Sequence, residues 1–113
     1  MTDTDRLQLL FQSISTTIGI TKDEMVTASM LYPETVIATN ILYQLKLSRF
    51  NQMTNEEFMR HTGVSLRKCI GRDSTVLEEL LLNLCIEKYD VFAAEWNYLN
   101  SGSEEMTLKK LAS

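Results

Sequence analysis

One histidine, two cysteines and a few adjacent carboxylates are the residues of this chain with reactive chemistry. His61, Cys69 and Cys85 are its only imidazole and thiols. Zinc needs cysteine and histidine in short, paired spacings. Cys69 and Cys85 stand far apart in sequence and neither has a close second ligand. No metal is therefore expected, and the two cysteines read as small apolar packing residues. A nucleophilic enzyme needs a base beside its Ser or Cys, and His61 falls on an element expected to be exposed. The neighbouring carboxylates Glu56-Glu57 and Glu78-Glu79 diverge by about 100° around a helix, so they do not converge as an acid–base pair. No glycine-rich phosphate loop is present. The expectation is a non-enzyme with no small-molecule cofactor.

A clearer pattern lies in the cations. Lys46, Arg49, Arg60, Arg67, Lys68 and Arg72 crowd between positions 46 and 72, with only Glu56 and Glu57 against them. The rest of the 113 residues holds five cations and thirteen carboxylates, and the formal charge of the whole is −4. An acidic chain does not coat nucleic acid indiscriminately. A basic centre between acidic arms points instead to one face that meets phosphate or an acidic partner.

The elements that must position these residues are helical. Apolar residues recur with helical spacing almost throughout, and no stretch alternates for long. Five or six helices are expected in a single domain of all-α class. The first spans about 5–17, with Leu7, Leu10, Phe11, Ile14 and Ile18 as one stripe, and Gly19 closes it. A capping box at Thr21 to Glu24 starts the second, whose Met25, Ala28 and Leu31 should face inward. Pro33 ends that helix and opens the third, over about 34–49. Ile37, Ile41, Leu42, Leu45 and Phe50 give the third a wide apolar face and make it the central helix. Thr54 caps a short fourth helix over about 55–61 with Phe58 and Met59 inward, and Gly63 ends it. A further element starts at Ser65 and carries Leu66, Cys69 and Ile70. A last helical pattern, capped by Thr75 with Glu78, runs from 75 to about 99 with a bend expected near 88–90.

Residues 54–72 carry a resemblance. A short helix ends at Gly63, the chain turns through Val64, and Ser65 is placed to cap a second helix. This segment resembles a helix-turn-helix, in its simple or winged form, as in regulators and replication factors of phages and plasmids. Met59 stands where that pattern usually takes a small residue, and Gly71 closes the second helix early. The resemblance implies double-stranded DNA as partner and a role in transcription regulation or DNA replication. Arg67, Lys68 and Arg72 would then meet bases or phosphates, with Arg60, Arg49 and Lys46 flanking them on phosphate. It also implies that residues 100–113 form a small wing. The segment 64–72 with the leucine-rich run behind it is similar, too, to a cyclin-box helical domain of the transcription factor IIB type, which implies the same basic residues on DNA or on a protein.

Tyr89, Phe92 and Trp96 share one helical face. They are expected either as core or as contacts to a protein partner or a second copy, since Trp and Tyr are favoured anchors at interfaces. The alternative function is thus a non-enzymatic interaction module: a helical adaptor, an inhibitor or a subunit of a complex. No apolar run approaches the ~18 residues of a membrane span. The acidic first residues lack the basic region of a secretion signal. A cytoplasmic or nuclear protein is therefore expected.

Overall fold

The computed structural model describes residues 1–28 and 30–100, and those residues form five helices and no strand. Helix α1 spans Asp3–Ile18, α2 Lys22–Ala28, α3 Pro33–Arg49, α4 Asn55–Thr62 and α5 Val76–Asn100. The expected all-α class is the observed one. The expected wing falls on 101–113, outside the described residues.

Local chemistry sets most helix ends. Thr2 caps α1 reciprocally with Asp5: its hydroxyl accepts from the Asp5 amide at 3.2 Å, and its own amide donates to the Asp5 carboxylate at 3.1 Å. Thr21 with Glu24, Thr54 with Glu57 and Thr75 with Glu78 start α2, α4 and α5 in the same way, each hydroxyl accepting from the amide three residues on. These bonds satisfy amides that a helix start leaves unpaired. Gly19 and Gly63 end α1 and α4 at φ of 86° and 74°, in the left-handed region that glycine enters without a steric penalty.

Helix α2 stops at Ala28, earlier than its apolar pattern implied. Met30 takes φ of 94° in the turn that follows, and the Thr35 hydroxyl donates back to the Ala28 carbonyl at 2.8 Å. That tight return throws Leu31 outward, where it is 74% exposed and not an inward residue as expected.

Helices α1, α3 and α5 pack pairwise against one another, and α2 lies on α3. Leu10 and Ile14 of α1 meet Ile41, Leu42 and Leu45 of α3 in a core that also takes Met25, Phe50 and Phe58. The rings of Phe50 and Phe58 lie 6.1 Å apart at a 59° tilt, in the edge-to-face range. Helix α3 is buried on most of its circumference, down to Thr39 and Asn40, which is the central position its wide apolar face predicted. Arg6 of α1 donates to the Arg49 carbonyl at the end of α3 and lies over the Phe50 ring, so one cation serves both a helix terminus and an aromatic face.

One expectation fails in the second half. Residues 65–72 do not form a helix. They close two successive turns, with the Cys69 amide on the Leu66 carbonyl at 2.9 Å and the Arg72 amide on the Cys69 carbonyl at 3.1 Å. Gly63 just before this stretch and Gly71 near its end both take the left-handed conformation. Between them there is too little chain to repay the nucleation of a helix, and burial of Val64, Leu66 and Cys69 holds the turns in place. The last helix stays continuous through 88–90 and runs from Val76 to Asn100.

Candidate functional site

The six basic residues do not make one face. Lys46 is buried on α3, and its ammonium donates to Asn55 Oδ1 at 3.1 Å, linking α3 to the start of α4. Arg49 holds Asp90 of α5 with two parallel bonds, Nε to Oδ1 at 2.9 Å and Nη2 to Oδ2 at 3.1 Å. That bidentate pairing favours the charged guanidinium further. Arg72 reaches the buried Glu78, with 3.3 Å from Nη2 to Oε1. These three cations are committed to the fold, each to a polar group the sequence places tens of residues or one loop away.

Arg60, Arg67 and Lys68 are exposed. Arg67 stands 3.6 Å from Glu56, with both side chains about three-quarters exposed, so the pair is loose. Arg67 and Lys68 border two shallow clefts, one beside Met59, Gly63 and Val64, the other beside Thr27, Met30 and Leu31. The motif thus retains its first helix and glycine turn, and displays its cations from a loop. A loop side chain lacks the fixed spacing by which a helix in the major groove sets several contacts at once.

The aromatic set turns inward. Tyr89 and Cys85 are buried, and Phe92 and Trp96 pack partly buried against the core together with Leu82. Of the two roles the sequence allowed them, this packing is that of core residues. The opposite side of α5 is the one that stands open. Leu77, Leu80, Leu84, Val91 and Tyr98 are each about half exposed there. Four of them, 77, 84, 91 and 98, recur every seven residues, with Leu80 in the second apolar position of the first heptad. A shallow groove beside Ala94, Glu95, Tyr98 and Leu99 extends the same side to the end of the helix. The spacing was present in the sequence. It was hidden because the inward apolar residues form a second stripe, and a helix apolar on two sides gives one continuous helical pattern.

The reactive residues are dispersed. Cys69 and Cys85 are free thiols, both buried, and burial pushes each above the ordinary cysteine value. A nearby Arg72 opposes this at Cys69. His61 is exposed beside a cleft that includes Phe11, with the Lys22 ammonium 5.4 Å from the centre of the Phe11 ring. Among the described residues no three His, Cys, Asp or Glu side chains are grouped to hold a metal ion, and no helix is long and apolar enough to cross a membrane.

No family model, curated protein or solved structure matches the chain.

Proposed function

We propose that this chain is a non-enzymatic helical interaction module that receives a partner helix on the outward face of α5. The observation that carries the reading is the heptad-spaced stripe of half-exposed Leu77, Leu80, Leu84, Val91 and Tyr98, opposite the face that closes the core. Completing the burial of each would contribute about 1 kcal/mol. Five together offset the lower end of the ~4–15 kcal/mol cost of association. Contiguous apolar surface of this kind marks docking sites more often than idle surface. A photoreactive amino acid at Leu84 tests it: a discrete polypeptide adduct is expected there and none from the same group at Glu79. Absence of any adduct at Leu84 would sink the reading.

A second reading has its own observation. Arg60, Arg67 and Lys68 lie exposed around the glycine turn that resembles the start of a helix-turn-helix. We infer from them a sequence-tolerant contact with duplex DNA, as in a regulatory or replication accessory protein. Three phosphate contacts would give log K a slope of about −3 against log salt. A salt-titrated gel shift on random duplex checks this, and a triple alanine variant at Arg60, Arg67 and Lys68 should lose the binding.

A further inference from the structure

We propose that the occupant of the α5 face is a second copy of this chain, packed antiparallel about a two-fold axis at Val91. The inference rests on the interaction-module reading and names its partner. The stripe from Leu77 to Tyr98 covers 21 residue steps, or about 31 Å of helix at 1.5 Å per residue.

Charge selects the arrangement. Across an antiparallel pair related by a two-fold, the same flank of each helix faces its copy. Lys88 and Glu95 lie on one flank of the stripe, close to one line along the helix axis. A two-fold at Val91 brings Lys88 of each chain opposite Glu95 of the other, twice. The same register sets Val91 on its own copy and Leu84 on the partner copy's Tyr98. On the other flank Glu87 meets Ala94, a small side chain that leaves the carboxylate a path to water. Asp90, near the axis, already carries Arg49 as its counter-charge. A parallel pair forms no such opposite-charge contact: in the usual flanking pattern of a coiled coil Lys88 meets Asn83 of the other chain and gains no carboxylate. The contact is isologous and self-closing, as two-fold interfaces are.

The register is testable by a cross-link. Helix axes about 8–10 Å apart, with Cα atoms about 2.3 Å from each axis, place the two Val91 Cα atoms within disulfide reach. The two Leu84 Cα atoms would be separated by fourteen residue steps, about 21 Å along the axis. Val91→Cys in the full chain should therefore oxidise to a covalent dimer, and Leu84→Cys should not. The native thiols are buried and serve as the internal control. In sedimentation equilibrium the unmodified chain should show one- and two-chain species. Lys88→Glu and Glu95→Lys should each weaken dimerisation about tenfold, and the double exchange should restore it. Equal cross-linking at 84 and 91 would overturn the antiparallel register. A chain that stays single at every concentration would overturn the self-association. In that case a Leu84 photo-adduct with a different polypeptide would leave the module reading standing, and no adduct at all would remove both.

Discussion

Glu78 illustrates how much a single side chain settles in this protein. Its carboxylate is 4% exposed, accepts from Thr75 and Arg72 through Oε1, and leaves Oε2 buried without a partner. A buried carboxylate relieved of its cation is costly. Arg72→Ala should lower stability by about 1–2 kcal/mol, given that the arginine itself is partly solvated. It should leave any affinity for duplex DNA unchanged at low salt. A loss of duplex binding without a loss of stability would return Arg72 to the role its position in the motif implied. Asp5 gives a second residue-scale expectation. Hydrogen bonds from the Thr2 hydroxyl and amide hold its carboxyl below the ordinary range. Because the folded value is depressed, the contribution of this cap is complete above the unfolded Asp value of about 4 and is lost as pH falls through the folded one. The amide resonances of Thr2 and Asp5 should therefore move together in acid at a lower pH than those of an uncapped aspartate.

At the scale of elements, the sharpest test concerns Gly71. Had residues 65–72 been a helix, Gly71→Ala would stabilise it by about 1 kcal/mol. In the observed left-handed conformation, at φ of 78°, the same change should destabilise by about 1 kcal/mol, although open space surrounds the site. The sign of the shift in a denaturant midpoint decides between the two. Gly63→Ala should behave alike, since an added Cβ meets only the Val26 methyls, at an ordinary 3.8 Å. These two positions also mark where the sequence was legible and where it was not. Caps at Thr21, Thr54 and Thr75, the breaks at Gly19 and Gly63 and the start of α3 at Pro33 are local chemistry that the sequence displays directly, whereas α2 ends at Ala28, five residues before the proline expected to end it. Leu66, Cys69 and Ile70 at helical spacing suggested a helix, but a spacing of three also fits consecutive turns, and only the burial of Leu66 and Cys69 was required. Helix α5 was legible in extent and ambiguous in orientation. With apolar residues on both sides, nothing local says that Tyr89 rather than Leu84 should meet α1 and α3.

For the molecule as a whole, the segregated charge of the sequence does not become a segregated surface. Half of the basic centre is turned to Asn55, within it, and to Glu78 and Asp90, which lie beyond it. Sequence sums count charges without their partners, so the basic face looked broader than it is. Arg49 spans the largest of these separations, from the end of α3 to the middle of α5. Arg49→Lys would keep the charge and lose the paired geometry, and it should cost about 0.5–1 kcal/mol at this half-exposed site. A thermal melt in low and high salt checks that the loss is larger at low salt.

The two buried thiols lie under different kinds of cover. Cys69 sits beneath a loop closed by two turn hydrogen bonds, and Cys85 lies against the Ser13 carbonyl, 3.9 Å away, where α5 meets α1. A thiol reagent can reach either one only when its cover opens, and a loop opens at a lower free energy than a helix interface. Under native conditions Cys69 should be labelled well before Cys85, and Cys85 only at the rate set by global unfolding. The chain thus carries two chemical timers of unequal span, and the interval between them measures how far its motions reach before the fold itself is lost.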